Sequence, residues 1–114
     1  MKKYTMYRAT TPIHTFRLPE NADTYAEIQV AYKQTAAKKP AVNLVKHYQN
    51  DILPSGMVLD GKTAVITLTQ EETKLFSKGK MLVHLRVRTT DSHVWATQKW
   101  SVTVEESNNE DILE

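Results

Sequence analysis

Two runs of alternating apolar and polar residues, at positions 63–68 and 81–87, constrain the fold of this chain more than any other feature. A period of two is typical of strands with one buried face and one solvated face. Thr69 and Glu72, in the connection between the runs, form a capping-box pattern that predicts a single helical turn, with Leu75 and Phe76 anchoring it on the core. An antiparallel sheet with such a crossing connection indicates a β-sandwich. The residues predicted to face inward are Ala64, Ile66, Leu68, Met81, Val83, Leu85 and Val87.

Five further segments carry strand signals, at residues 12–18, 25–32, 41–48, 57–59 and 93–105. Asp60 and Gly61 predict a type I′ hairpin turn. In the last segment Trp95 breaks the apolar parity, which predicts a bulge near residues 96–98. The sequence therefore predicts an all-β, immunoglobulin-like antiparallel β-sandwich of about seven strands, with one short helical turn near residues 70–76. A small barrel is the alternative.

The length of 114 residues predicts one domain. We expect a flexible N-terminal arm over residues 1–11, the β-sandwich over 12–105, and an acidic C-terminal tail over 106–114. The chain has no cysteine, which excludes disulfides and thiolate chemistry. It also has neither an apolar run long enough to span a membrane nor a secretory signal at its start, so no membrane association is expected.

Residues with catalytic or metal-binding potential do not form a recognisable site. His14, His47, His84 and His93 lack metal-ligand spacing, and no nucleophile, phosphate-loop or zinc-protease motif occurs. His14 shares parity with apolar neighbours and is predicted to be a partly buried histidine bonded to backbone. We therefore expect no enzyme activity, no catalytic residue, no cofactor and no metal.

A basic strand face is the most suggestive surface. Arg86 and Arg88 project from one side of the 81–87 run, with His84 beside them, and Trp95 and Lys99 are expected alongside. Arginine and tryptophan together favour a protein interface, while single-stranded nucleic acid and an ordinary solvated face are the alternatives. The net charge of +2 argues against nucleic acid.

The two halves of the chain carry opposite net charge, and most of the acidic surplus lies in the C-terminal tail. Residues 1–57 hold eight Lys/Arg against four Asp/Glu, and residues 58–114 hold seven against nine. Complementary ends permit head-to-tail contacts between copies. Ile112 and Leu113, apolar residues inside the acidic tail, are candidate docking points.

At residues 11–19 (Thr-Pro-Ile-His-Thr-Phe-Arg-Leu-Pro) and 68–76 (Leu-Thr-Gln-Glu-Glu-Thr-Lys-Leu-Phe), the chain resembles a family of small phage and prophage proteins of low-GC Gram-positive bacteria. The family's Val-x-Tyr-x-Gln strand is matched at residues 30–34, its Arg-Val-Arg-Thr strand end at 86–89 and its acidic end at 111–114. The resemblance covers roughly residues 10–114 with gaps, and residues 35–43 form a longer insert that leaves the register of the middle strand open.

This resemblance implies a virion structural or assembly component with no assigned catalytic residues. The expected function is a non-enzymatic protein–protein interaction module of the head–tail, tail or baseplate region, located in the virion or in the host cytoplasm during assembly. Its expected partners are other phage structural proteins or further copies of itself. The alternatives are a receptor- or carbohydrate-binding module of a phage tail and a nucleic-acid-binding accessory protein. An exposed aromatic pair in a groove would favour carbohydrate.

Overall fold

The described residues fold into two β-sheets packed face to face and are mostly β-strand. The computed structural model describes residues 3–36, 39–96 and 99–113. The short helices are a 3-10 turn at Ala22–Thr24 and α1 at Gln70–Thr73. The strands are β1 (Lys3–Tyr7), β2 (Ile13–Arg17), β3 (Tyr25–Ala36), β4 (Lys39–Gln49), β5 (Met57–Asp60), β6 (Thr63–Thr67), β7 (Gly79–Thr89), β8 (Val94–Ala96) and β9 (Trp100–Glu105).

The larger sheet follows the order β1-β9-β7-β3-β4, with β8 as a further partner of β7, and the smaller sheet follows β2-β6-β5. All pairs are antiparallel except β1 with β9, which is parallel. The predicted immunoglobulin-like sandwich is thus confirmed, but with nine strands among the described residues instead of about seven. The two additional strands arise because β1 forms and because the predicted strand at 93–105 is divided into β8 and β9.

The predicted inner faces of β6 and β7 are confirmed. Every residue named above as inward-facing in these two runs is buried, and Ile28, Val30 and Tyr32 of β3 complete the centre of the core. The predicted type I′ turn differs in detail. Asp60 pairs with Thr63, so the turn consists of Gly61 and Lys62, and only Gly61 has a positive φ, +57°, as at the first central position of a type II′ turn.

Residues 69–77 close one end of the sandwich, and we call them the end plug. The predicted capping box is confirmed: the Glu72 amide donates to Thr69 Oγ1, and the Thr69 amide donates to the Glu72 carboxylate. Phe76 is fully buried, but the predicted anchoring role of Leu75 is wrong because this side chain is 54% exposed. The helical turn therefore docks through one aromatic side chain and through polar contacts.

Polar side chains from distant strands hold the end plug. Lys46, on the inner face of β4, is buried and its Nζ lies 2.5 Å from the Glu72 carboxylate. The buried side chain of Gln34 on β3 accepts a hydrogen bond from the Ser77 amide and donates one to the Ser77 carbonyl, each at 2.7 Å. Both contacts connect the crossing connection to the hairpin of β3 and β4.

The two ends of the chain also meet the sandwich. The flexible arm predicted over residues 1–11 instead contains strand β1 (Lys3–Tyr7), in which Met6 is buried. Arg8 Nη1 donates to Glu110 at 2.6 Å, and the Gln70 side chain makes two hydrogen bonds with the backbone of Leu113. The acidic tail thus lies against the end plug.

Candidate functional site

The predicted basic face forms on the outer side of the larger sheet, but its cations differ in availability. Arg88 Nε donates to the Glu27 carboxylate, which also lies 3.0 Å from His47 Nε2. The hydrogen bond from Arg88, followed by that from His47, holds the pKa of Glu27 below its ordinary value despite partial desolvation. Arg86 is exposed beside a shallow cavity of about 140 Å³. Of the two predicted arginines, Arg88 is therefore engaged within the sheet, and Arg86 faces solvent.

Trp95 does not join this face. It pairs with Val87 of β7, and directly opposed residues in an antiparallel pair point to the same side of a sheet. Val87 is an inner-face residue, so the predicted placement of Trp95 beside Arg86 and Arg88 is wrong, although its side chain is 61% exposed. Residues of β8 that do share the outer face are Val94 and Ala96.

The register of the last strand explains this difference. Val83 pairs with Trp100 and Arg86 pairs with Ala96, so three steps along β7 correspond to four along the last strand. The register therefore differs by one residue between β8 and β9, and the predicted bulge at 96–98 falls mainly on residues 97 and 98, outside the described residues. A shift of one residue exchanges the two faces of a strand.

The remaining predicted surface residues are dispersed. His84 is half-buried opposite Ala31, on the same outer face as Arg86, and Lys99 is exposed just before β9. Ile112 and Leu113 are exposed at the end plug, where Gln70 holds the tail. The structure therefore brings His84, Arg86 and Arg88 together and leaves Trp95 and the tail residues elsewhere.

A second surface, which sequence analysis missed, lies on the open side of the sandwich between β2 and β9. It is a cavity of about 190 Å³, which we call the side groove. Tyr4 and Ile13 at its rim are 45% and 67% exposed, and the rings of Phe16 and Trp100 pack at 5.3 Å between centroids. The complete lining is Tyr4, Ile13, His14, Thr15, Phe16, Arg17, Val83, Trp100 and Val102.

The sheet topology produces this groove. β2 is the outermost strand of the smaller sheet, and no further strand pairs with its free edge in the described part of the chain. The larger sheet continues through β9 to β1 on the same side, so no strand of the described residues lies above the inner-face residues Tyr4 and Trp100. The result is a groove lined by Tyr4 and Trp100 beside the free edge of β2, a combination found at binding sites.

His14 forms the inner wall of the groove in its neutral state. Its Nδ1 lies 2.9 Å from the Tyr32 hydroxyl, so its partner is a side chain rather than the predicted backbone group. Burial lowers the pKa of His14, and burial together with the charge of Glu72 raises the pKa of Tyr32. Arg17 is therefore the charged member of the groove lining near neutral pH.

One sequence signal for the groove existed. Tyr4 and Met6 alternate with the polar residues Lys3 and Thr5, which is a strand pattern, but Tyr7 adds an aromatic residue to the opposite parity. No metal-binding cluster or membrane-spanning helix occurs in the described residues. Among residues 3–36, 39–96 and 99–113, no three His, Cys, Asp or Glu side chains converge as a metal site would require. None of the helices in that part of the chain has the length and apolarity to cross a membrane.

Comparison with known proteins gives a fold likeness. No family model matches the sequence, and no curated protein matches it either. Among solved structures, the chain is similar to the crystal structure of CopC from Methylosinus trichosporium OB3b, with a TM-score of 0.51 and 16% sequence identity. The similarity covers 94% of this chain and 87% of that one. At this level of identity the likeness supports the β-sandwich fold alone.

Proposed function

We propose that this protein is a non-enzymatic protein–protein interaction module that serves in a phage virion or in its assembly, in the head–tail, tail or baseplate region. Its partners are other phage structural proteins, and its location is the virion or the host cytoplasm during assembly. The phage setting rests on the ordered motifs at residues 11–19, 30–34, 68–76 and 86–89. The interaction role rests on the side groove.

The observation that carries the interaction role is the exposed aromatic surface of the groove. Tyr4 and Ile13 project at its rim, and Trp100 is only partly buried above Val83 and Val102. Tyrosine and tryptophan are the residue types most enriched at the energetic centres of protein interfaces. Arg17 adds a cation at the same site, and arginine shares this enrichment.

Incorporation into particles tests this proposal. In phage particles produced by a host that carries the gene, mass spectrometry should find the chain, and Trp100→Ala should remove it because the groove loses its central ring. Val58→Ala is the matched control, since Val58 is an exposed apolar residue at the opposite edge of the smaller sheet. Absence of the wild-type chain from particles and assembly intermediates would contradict the phage role.

Arg86→Ala distinguishes the two candidate surfaces. If the side groove is the contact surface, this exposed arginine on the outer face of the larger sheet is dispensable for incorporation. Equal incorporation of Trp100→Ala and the wild type, combined with loss of Arg86→Ala, would transfer the contact to the basic face.

Carbohydrate binding is a second candidate, because the structure contains the aromatic pair in a groove that would favour it: Tyr4 and Trp100. Aromatic rings stack on sugar faces, and Thr15 and Arg17 supply polar partners. The volume of about 190 Å³ is small, since pockets that enclose a drug-sized ligand begin at about 300 Å³. Titration with cell-wall oligosaccharides, monitored by tryptophan fluorescence, tests this candidate. A response that Trp100→Ala abolishes supports it, and no response at millimolar concentration dismisses it.

A further inference from the structure

We infer that the side groove binds its partner by strand addition: an extended polypeptide segment pairs with the free edge of β2 and lies over the groove. This inference deepens the proposed interaction role and rests on it. The predicted segment carries apolar side chains at every second position and a carboxylate opposite Arg17. Three features of the structure lead to this assignment.

The first feature is the backbone of β2. Leu68 donates its amide to the Pro12 carbonyl, and Leu18 donates to the Lys62 carbonyl, so the even-numbered residues of β2 form the hydrogen-bonded pairs with β6. In an antiparallel ladder these pairs alternate with residues whose N–H and C=O groups point away from the partner. Those residues are Ile13, Thr15 and Arg17. In the described part of the chain, no hydrogen bond from outside the sheet reaches their backbone.

The second feature is the number of strands. Immunoglobulin sandwiches of the constant type have a four-stranded first sheet, in which the first strand flanks the second. Here the first strand, β1, pairs with β9 in the larger sheet instead, and the smaller sheet has three strands that end at β2. A position for one additional strand therefore remains beside β2, above the uncovered side chains of Tyr4 and Trp100.

The third feature is the chemistry of the lining. The floor is apolar, formed by Val83, Trp100 and Val102, and it suits the inward side chains of a strand with period two. The charged residue of the lining is Arg17, and no carboxylate lines the groove in the described residues. Arg17 points to the outer face of the smaller sheet, as residue parity requires, so a carboxylate opposite it on an added strand would lie within ion-pair reach.

The edge of β2 is only partly protected. Natural sheets guard free edges with charged side chains, proline, inward-pointing charges or a covering segment, and β2 carries one exposed charged side chain, Arg17. Pro12 and Pro19 flank β2, but the five residues from Ile13 to Arg17 contain no proline, and the inward-facing residues are His14 and Phe16. In strand addition, main-chain hydrogen bonds to such an edge provide affinity, and pockets that accept every second side chain of the added segment provide specificity.

A synthetic peptide and amide hydrogen exchange test the inference. The probe is the acetylated and amidated peptide Val-Asp-Val-Thr-Val-Thr-Val, which places its Asp opposite Arg17 in antiparallel register. In the free full-length chain, NMR should show fast exchange for the amides of Ile13, Thr15 and Arg17. Peptide binding should slow these three amides and leave those of His14 and Phe16, which already pair with β6, unchanged. Binding without this odd-numbered protection would overturn strand addition.

Two substitutions of Thr15 distinguish the contribution of its backbone N–H to peptide binding from the contribution of its side chain. Thr15→Pro removes the outward N–H without removing a bond to β6, and it should weaken peptide binding about tenfold, the loss carried by roughly one net hydrogen bond. Thr15→Val keeps the N–H and should bind within about twofold of the wild type. Equal affinity of the two variants would overturn the inference, and the exchange pattern of the wild type decides the question if Thr15→Pro does not fold.

Other outcomes identify other occupants. If the peptide fails to bind at millimolar concentration, the strand position beside β2 does not accept an extended segment with alternating apolar residues and a carboxylate, and the inference is overturned. If the chain associates with itself and Thr15→Pro abolishes this association, a second copy of the chain occupies the strand position beside β2, and the inference of a separate partner is overturned. If Trp100→Ala prevents particle incorporation while Thr15→Pro does not, the interaction role stands and strand addition fails.

Discussion

The end plug and the side groove are two boundaries of the same core, and the chain closes only one of them. At the end plug, polar side chains from β3 and β4 bond to a crossing connection, with Lys46 meeting Glu72 and Gln34 meeting Ser77. At the side groove no connection crosses within the described part of the chain, and Tyr4, Ile13 and Trp100 lie at or near the surface. The difference indicates that the plug stabilises the fold, whereas the groove leaves apolar area exposed, as the proposed interaction role requires.

The strongest test of this contrast is Glu72→Gln, which should destabilise the fold by about 3 kcal/mol because it leaves the buried Lys46 ammonium without its counter-charge. Urea unfolding followed by circular dichroism measures the free energy of unfolding. Glu71→Gln is the matched control, since Glu71 is an exposed neighbour on the same turn, and it should change stability by less than about 0.5 kcal/mol. Equal effects of the two substitutions would show that the plug gains nothing from the ion pair.

Acid should weaken the two regions in separate pH windows. Burial lowers the pKa of His14 below 6.5, the ordinary value that applies in the unfolded chain. As the pH drops below 6.5, His14 is therefore protonated more in the unfolded chain than in the folded one, and the stability of the fold decreases. Burial raises the pKa of Glu72, but hydrogen bonds from Lys46 and Thr69 outweigh that effect and hold it below 4.5. The stability that Glu72 contributes is therefore present above pH 4.5 and lost as the pH falls through its lower folded value.

Thermal denaturation between pH 3 and pH 8 measures both windows. His14→Gln should remove the decline that begins near pH 6.5 and leave the lower one. Glu72→Gln should reduce the decline below pH 4.5 without abolishing it, because Glu27 also has a lowered pKa through its bond from Arg88. Unchanged profiles in both variants would contradict the assignment of these windows.

The smallest expected effect belongs to the groove rim. Tyr4→Ser should lower the free energy of unfolding by less than about 1 kcal/mol. Tyr4 is already 45% exposed, so the substitution removes little buried apolar area. Met6→Ser, two residues along the same strand, should cost at least about 2 kcal/mol because Met6 is buried. Comparable losses in the two variants would mean that Tyr4 belongs to the core and that the groove is not a free surface.

Local pattern predicted much of the core. The alternation at 63–68 and 81–87 identified buried residues correctly, and the capping box of Thr69 and Glu72 fixed the helical turn, since both depend on neighbours in sequence. The predicted face of Trp95 was wrong because one additional residue between Ala96 and Trp100, relative to β7, exchanges the two faces of the segment. The side groove depends on which strands become sheet edges. That outcome is decided by pairing between β1 and β9, so the strand pattern at residues 3–6 indicates a strand but does not locate the groove.

The parallel pairing of β1 with β9 has a consequence for biosynthesis. β1 finds its partner only after residues 101–105 have been translated, and a contact of such long range carries a large loop-closure cost. Until then Tyr4 and Met6 are exposed on the nascent chain, in a short segment that is rich in aromatic residues. A ribosome-bound chain lacking Trp100–Glu105 should therefore be protease-sensitive at its amino-terminal segment and become resistant when the last strand emerges.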